Sequence, residues 1–522
     1  MGIQDTVTRR SALLGATGLL AASGFESSLA LMLTGPAFAQ KLKPKMATSI
    51  PPEITTPDHV KTRLGTLNFF DGVPDKATCE KVYDNLDFMR GVEVFLNTMA
   101  AASTHANFVG LRSVGCDNHT VLIHEDRVDA KTLLLTPNTQ TATLWSPLDL
   151  KAGPLVVEIP PGVLGLADDH WMRHITDMGL SGPDKGSGGK YVFLPPDYQG
   201  QTPDGYFVGR SRTFNMTCGL RGFTIKGDTR PAVEAFHKQF KIYPLDQAGN
   251  PPPTKIINGS GLYLNTIHAN TFEFYEEINQ VVQEEPTLAI DPEIAGQLAA
   301  IGIIKGKPFA PDERMKRILT EAAAVGNATA RAIVFRARSD DFYFYPGKSN
   351  WRPIFVGGSY LFMKNDAALL DARINFFYQA TGVSPAMAAA PVGSGSQYAA
   401  AMVDARGNAF DGGKTYRLHL PPNIPAKQFW SLIPYDTQTR SVLQTDQRDA
   451  ALSSETGTVA TNADGSVDVY FAPMRPSGRE LDPNGPGQKL VRLFPSLLPA
   501  GAVVRQELAA ERYRAGLRSV RD

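Results

Sequence analysis

Residues 136–162 read TPNTQTATLWSPLDLKAGPLVVEIPPG, and the spacing within this stretch decides the fold. Residues 141–145 and 155–159 are short β-prone runs. They are bounded by Pro137, Pro147, Gly153-Pro154 and Pro160-Pro161-Gly162. Apolar runs of about five residues between turn residues predict strands, because Pro and Gly end a ladder and short β-prone runs fill one. The pattern extends to both sides. Runs at 120–123, 132–135, 170–175, 190–194, 206–212 and 221–225 repeat it, which predicts a β-sandwich in the first half of the chain.

Ahead of these strands, Val82, Leu86, Met89, Val92, Phe95, Leu96 and Met99 recur at helical spacing, so residues 79–101 form an amphipathic helix. Behind them helices take over. One begins at Pro231, with Asp228 or Thr229 as its cap. Others are expected at about 270–284, 292–302, 311–338 and 365–381, the third of these starting near Asp312 and the last running from Asn365 to a stop at Gly382. After Pro385 the period returns to two, with strands at 398–403, 415–420, 428–433 and 467–471.

The chain has 522 residues, and Lys+Arg and Asp+Glu both total 52, so its formal charge is zero. A nucleic-acid partner would need a basic stripe, and none is present. Cys79, Cys116 and Cys218 are odd in number and far apart, so they read as reduced buried thiols rather than a disulfide frame or a zinc knuckle. Residues 8–14 (TRRSALL) place twin arginines before an apolar run, and Ala37-Phe38-Ala39 precedes Gln40. This is the pattern of a twin-arginine signal peptide with cleavage before Gln40, which predicts a periplasmic or secreted protein. Glu26 and Pro36 interrupt any longer apolar run, and no later stretch of 18 apolar residues exists, so no membrane span is expected in the mature chain.

Several stretches together resemble the paired domain-of-unknown-function families 1254 and 1214. In the first module they are residues 136–145 (TPNTQTATLW), 153–161 (GPLVVEIPP), 182–198 (GPDKGSGGKYVFLPPDY), 204–213 (DGYFVGRSRT) and 221–245. The middle of the chain adds residues 301–319. The second module adds 393–401 (GSGSQYAAA), 412–441 and 461–471 (TNADGSVDVYF). The resemblance implies a mainly β protein: an Ig-like β-sandwich, a helical middle segment and a jelly-roll-like C-terminal β module. The expected organisation is a signal peptide at 1–39, a linker at 40–78, the 1254-like module with its leading helix at 79–245, a helical segment at 246–389, the 1214-like module at 390–480 and a tail at 481–522. The families share no settled chemistry, so the resemblance implies no reaction. Where family members show a PNNDTLY-like run, residues 137–145 lack its acidic residue.

The tail departs from the family abruptly after Glu480. Read one nucleotide later from the Glu480 codon, permitted codons for residues 480–483 give Asn-Trp-Ile followed by the start of Gln. Further on, the same frame gives the family's aromatic blocks in order. Residues 481–522 are therefore read as out of frame. The second module is then expected to lack its last aromatic strands, with a stray helix at 506–517.

Asn138, Trp145, His170, Trp171, Arg173 and Asp177 are the candidate ligand-binding residues, because polar and aromatic side chains cluster there beyond what a sheet face needs. Asp168-Asp169 and Asp177 are the nearest candidates for paired carboxylates. Other motifs read as structure. Residues 182–190 resemble a phosphate loop, but Tyr191 stands where a hydroxyl residue belongs and a strand follows, so a hairpin loop is expected. On this reading Asp184, Lys185 and Lys190 face a ligand only if the loop covers a pocket. His119, His124, His170 and His174 lack metal-ligand spacing, and no metal is assigned. Ser394 and Ser396 precede a strand rather than the helix of a nucleophile elbow. Residues 435–440 read as a turn capped by Asp436, with Arg440 paired locally. Two functions stand at this point. One is an exported enzyme of hydrolase or lyase type with a cleft between the modules, and the other is a non-catalytic periplasmic binding or assembly module. Cofactors are unassigned, a small-molecule ligand is the expected partner, and a homo-oligomer stays open.

Overall fold

The computed structural model describes residues 46–388, 396–424, 426–448, 450–456, 459, 461–472, 488–492 and 502–510. The expected signal peptide and residues 393–395, with Ser394, lie outside the described residues. Of Ser396 only the backbone is described. The chain divides into two units, residues up to Phe88 and residues from Met89.

In the first unit, the stretch expected as a linker carries a three-stranded antiparallel sheet of β1 (His59–Thr62), β2 (Gly65–Phe70) and β3 (Val73–Pro74). Its Pro and Lys content hid two tight turns, with Asp71 and Gly72 at positive φ in the second. Helix α1 (Lys76–Ser113) starts here, and Asp75 Oδ1 accepts the Thr78 N–H at 2.7 Å.

In the second unit α1 runs on through Val94, Phe95, Met99, Phe108 and Leu111, all buried. The first module then alternates between two sheets. One has six strands in the order β14 (Lys255–Asn258), β4 (Thr120–His124), β6 (Ala142–Asp149), β12 (Asn215–Gly222), β8 (Val163–Asp169) and β9 (His174–Gly179). The other has four, in the order β11 (Phe207–Arg210), β10 (Gly189–Leu194), β7 (Leu155–Ile159) and β13 (Lys241–Pro244). Val121, Leu144 and Leu220 of the first meet Val157, Tyr191 and Ile242 of the second in one core. Helix α2 (Arg230–Gln239) adds Phe236, and Pro231 takes the permitted first turn. Because β14 pairs with β4, the first module continues past residue 245.

Two sequence expectations change here. Of the strand expected at 170–175 only His174 and Ile175 belong to one, as the start of β9: the Asp169 N–H donates to Arg173 O and the Met172 N–H to Asp169 O, which closes a tight turn between β8 and β9 with Met172 at φ 53°. The strand before that turn, with its run Leu166-Ala167-Asp168-Asp169, went unread because charged residues mask its alternation.

Residues 246–389 mix helix and strand. A small pair joins β5 (Thr132–Leu133) to β15 (Leu264–Asn265). Helices α3 (Glu273–Glu284), α4 (Pro292–Ala300) and α5 (Glu313–Phe335) follow. Asp312 caps α5 by accepting the Met315 N–H at 2.7 Å. Gly326 is usable inside α5 because a Cβ there would lie 2.8 Å from the Phe95 ring. Strand β16 (Trp351–Pro353), the hairpin β17 (Met363–Lys364) and β18 (Ala367–Ala368), α6 (Leu370–Phe377) and α7 (Pro385–Ala388) complete the segment. Asn365 is therefore a turn residue at φ 50° rather than a helix cap, and Gly382 lies beyond the helix end.

The second module holds a five-stranded sheet and a three-stranded sheet. The first has the order β16, β19 (Ser396–Ala401), β25 (Ala502–Ala510), β21 (Ala426–Asp436) and β22 (Leu452–Ser453). The second has β20 (Tyr416–Leu420), β23 (Val467–Ala472) and β24 (Gln488–Arg492). The helix expected at 506–517 is replaced over its first residues by β25, which pairs antiparallel with both β19 and β21. The rest of that expected helix lies outside the described residues. The architecture is mixed α/β, with seven helices and no closed barrel among the described residues. No described helix is long and apolar enough to cross a membrane.

Candidate functional site

The register of the six-stranded sheet lines up a row of side chains on one face. Trp145, Gly219, Leu166 and Asp177 stand opposite one another across β6, β12, β8 and β9. The next row on the same face is Thr143, Arg221 and Leu164, because side chains alternate with period two. The row between them, with Leu144 and Leu220, points into the core. Gly219 leaves room at the centre of the outer face, since a Cβ there would lie 3.0 Å from the Trp145 ring.

These two rows floor a cavity of about 90 Å³. One wall is the loop of Leu134, Leu135, Thr136, Pro137 and Asn138. The roof is the segment carrying Ala380, Thr381, Ser384, Ala386 and Met387, with Tyr398 beside it. The loop is shaped from both modules. Asn138 Oδ1 accepts the Gln140 N–H at 2.7 Å and the Thr141 hydroxyl at 3.1 Å, which makes its role a turn former. From the second module, Tyr435 donates its hydroxyl to Pro137 O at 2.8 Å, and Arg440 O accepts the Thr136 N–H at 2.8 Å.

Asp177 is the floor's carboxylate. Its Oδ2 lies 3.9 Å from His174 Nε2, and His174 Nδ1 lies 3.6 Å from Asp168 Oδ1. Both separations exceed a direct hydrogen bond, so the coupling is one of charge across short gaps. Asp168 Oδ2 accepts the Val383 N–H at 2.7 Å, tying the roof to the sheet. Complete burial pushes Asp168 up to about 6, against the pull of His174 and Val383. Burial also raises Asp177, opposed by His174 and a bond from Ser384. For His174 burial disfavours the charged ring, but Asp168 and Asp177 outweigh it and hold the imidazole above its ordinary value. One histidine thus links a carboxylate in the cavity to one sealed beneath the roof.

Of the six candidate residues, Asn138, Trp145 and Asp177 line this cavity, whereas His170, Trp171 and Arg173 do not. The latter three belong to the β8–β9 turn. His170 is fully buried, with Nδ1 2.7 Å from Glu285 Oε1. Glu285 also accepts the Asn215 N–H and Asn215 Nδ2 at Oε1 and the Phe214 N–H at Oε2, so both of its oxygens are held by the protein. Glu284 lies close enough to complete a cation-sized cluster with this pair, but it accepts from Asn215 Nδ2 at 2.9 Å, and the cluster reads as a tie between α3 and the sheet. The Trp171 side chain enters the helical core. Arg173 donates from Nε to Asp169 Oδ2 at 2.7 Å and from Nη1 to Ala289 O at 2.6 Å.

The remaining motifs are structural. Asp184 is buried and accepts the Gly179 and Gly188 N–H groups, fixing its own hairpin, and Lys190 pairs with Glu158 at 3.5 Å. His124 is buried against Thr132 Oγ1, and burial lowers it to about 4. Asp436 caps its turn by accepting the Thr439 N–H, as expected. Arg440 is buried and pairs both locally and with a distant segment. It donates to Tyr378 O at 3.1 Å and Gln438 O at 2.9 Å, and its guanidinium lies 4.3 Å from the centre of the Tyr378 ring.

Residues 118–244 match the family model described as a protein of unknown function, DUF1254, and residues 395–484 match that of DUF1214. The chain carries DUF1254 followed by DUF1214. The cavity floor lies within the DUF1254 match, and the turn that grips its wall loop lies within the DUF1214 match. Among curated proteins none matches. Solved structures similar to this chain include the following two. The VPA0106 protein from Vibrio parahaemolyticus is 17% identical with a TM-score of 0.49, over 81% of this chain and 96% of that one. An uncharacterised protein from Burkholderia cenocepacia is 11% identical with a TM-score of 0.34, over 84% of this chain and 94% of that one.

Proposed function

We propose that this DUF1254–DUF1214 protein is an exported acid–base enzyme of hydrolase or lyase type, acting on a small molecule held on the outer face of the six-stranded sheet. The observation that carries the reading is Asp177, a cavity carboxylate coupled through His174 to the buried Asp168. Burial and a charged neighbour together are how proteins bring carboxyl groups toward the pH at which they exchange protons. Asp177 is then the proton-exchanging group, and His174 is a positioning residue that holds its charge. Two sheets sharing one core support an Ig-like sandwich for the first module, and the five- and three-stranded sheets are the basis for a jelly-roll-like second module. The twin-arginine segment supports export, and exchanging Arg9 and Arg10 for lysine is expected to leave precursor in the cytoplasm.

A non-catalytic binding role is the second reading, favoured by the apolar floor of Trp145, Leu164 and Leu166. Native mass spectrometry of the exported protein, followed by a panel of hydrolysis and elimination substrates, separates the two. The enzyme reading expects a small-molecule adduct that Leu166→Trp removes, and turnover that Asp177→Asn abolishes while binding persists. An adduct with no turnover on any substrate class supports the binder. No adduct in the wild type, or one that survives Leu166→Trp, contradicts both.

A further inference from the structure

We infer that Thr217 is a further positioning residue, which holds one buried water jointly with Asp168 and His174 behind the cavity. The inference rests on the cavity reading above and extends it by one row of the sheet. Strand register sets this row. Thr217 stands opposite Asp168 across β12 and β8, and Asp168 stands opposite His174 across β8 and β9. The row shares a face with Gly219, Leu166 and Asp177, because Thr217 and Asp168 are two residues along their strands from Gly219 and Leu166. Pro147, opposite Thr217 on β6, ends the row with a side chain that has no polar atom.

Each of the three carries a buried polar atom with no hydrogen bond among the described residues: Thr217 Oγ1, Asp168 Oδ1 and His174 Nδ1. Thr217 is 5% exposed and Asp168 1%, so bulk solvent does not serve them. His174 Nδ1 is 3.6 Å from Asp168 Oδ1, and side chains directly opposed on neighbouring strands have Cβ atoms about 4.5–5.5 Å apart. Polar atoms held just beyond direct bonding are the ones a bridging water joins. A buried water makes about three bonds, and the row supplies three. The water accepts from His174 Nδ1–H and from the Thr217 hydroxyl, and it donates to Asp168 Oδ1. Asp168 Oδ2 is already taken by the Val383 N–H at 2.7 Å. The strand itself needs only the shape of Thr217, which valine has too, so its hydroxyl points to a polar role. The other titratable neighbours of the row are Asp169 beside Asp168, Asp177 beside His174, and Tyr360, whose ring meets that of His174 edge-on at 5.9 Å. Thr217 carries no charge and acts by direction. It turns the water's proton toward Asp168, opposes the burial that raises this carboxyl, and so supports the charge that His174 presents to Asp177.

Nitrogen-15 NMR of the His174 ring in the full-length protein tests this with Thr217→Val and Thr217→Ser. Valine keeps the shape and removes the donor. The Asp168 value then rises, less negative charge faces His174, and the His174 midpoint should fall by roughly half a pH unit or more. Serine keeps the hydroxyl and should leave the midpoint at its wild-type value. An unmoved or raised midpoint in Thr217→Val overturns the inference. So does an equal fall in both variants, which would mark an effect of packing. Asp177→Asn, read in the same spectra, separates the two failures. If it moves His174 and Thr217→Val does not, the row is wrong and the cavity reading stands, and if neither moves it, both fall. Should Thr217→Val not fold by circular dichroism, a crystal structure of the wild-type protein that shows ordered water decides. A water within hydrogen-bond distance of all three atoms is expected, and a direct bond between Thr217 and Asp168 with no water between them overturns the inference.

Discussion

His174 presents its Nε2 to Asp177 Oδ2 across 3.9 Å, and that contact joins the ligand cavity to the interior of the protein. On the far side of the ring is Asp168, which also receives the Val383 N–H from the cavity roof. Proton exchange at this cluster and seating of the roof are therefore linked.

The roof is expected to loosen as pH rises. Burial beneath it is the largest influence on Asp168 and raises it to about 6, against the pull of His174 and Val383. Lifting the roof returns water to the carboxyl and lets it fall back toward the ordinary carboxylate range, so the closed state binds more protons at Asp168 than the open one. Closure is thus strongest in acid and weakens as pH rises through about 6. Hydrogen exchange of the Val383 amide, corrected for intrinsic rate, should show protection falling above that pH. In Asp168→Asn an acceptor remains but the titration is gone, so the pH dependence should flatten. A variant profile that tracks wild type would remove Asp168 from the account.

Global stability should move the other way and fall in acid. His105, His124 and His268 are buried, and burial lowers each to about 4 from an ordinary 6.5. Their contribution is complete above the ordinary value and is lost as pH falls toward about 4, at up to about 3 kcal/mol each. Asp168 and Glu277, raised to about 6 and about 7 by burial, act in the opposite sense over the same range. Urea unfolding of His124→Gln between pH 4 and pH 7 should show a shallower acid decline than wild type. An unchanged slope would mean that His124 charges without cost in the fold.

Gly219→Ala should damage the cavity more than the fold. The added Cβ meets the Trp145 ring at 3.0 Å in the middle of the floor. Displacing that ring should cost about 1–3 kcal/mol, shift tryptophan emission and reduce ligand binding. Wild-type binding in this variant would show that Trp145 does not shape the site.

Much of the strand content was legible in residues 136–162, because Pro and Gly punctuate the ladders of β6 and β7. The site was legible only in part. Asp177 and Trp145 stood out as polar and aromatic residues among strands. Arg221, Leu164 and the rest of their row depend on a register between strands up to about 80 residues apart, which no local pattern carries. His170, Trp171 and Arg173 looked equally rich in chemistry, but they serve the turn between β8 and β9, where Asp169 binds the backbone and side chain of Arg173. His174 was noted among the histidines and left unassigned, since only a folded sheet shows the two carboxylates around it.

The tail tests a different part of the sequence reading. The DUF1214 match ends at residue 484, soon after Glu480. Strand β25, from the same tail as translated, nevertheless pairs inside the five-stranded sheet. Sequencing the gene around the Glu480 codon should reveal a displaced frame that encodes the family's aromatic blocks. A stop codon within those blocks would establish the tail as a genuine divergent sequence.

His174 sits between Asp168 and Asp177 at the cavity, and their charges hold its imidazole above its ordinary value. Nitrogen-15 NMR of the histidine rings across a pH titration reads that charge. His174 is expected to titrate above the ordinary 6.5, and either Asp168→Asn or Asp177→Asn to lower its midpoint. A wild-type His174 titrating at or below 6.5, unmoved by either substitution, would contradict it.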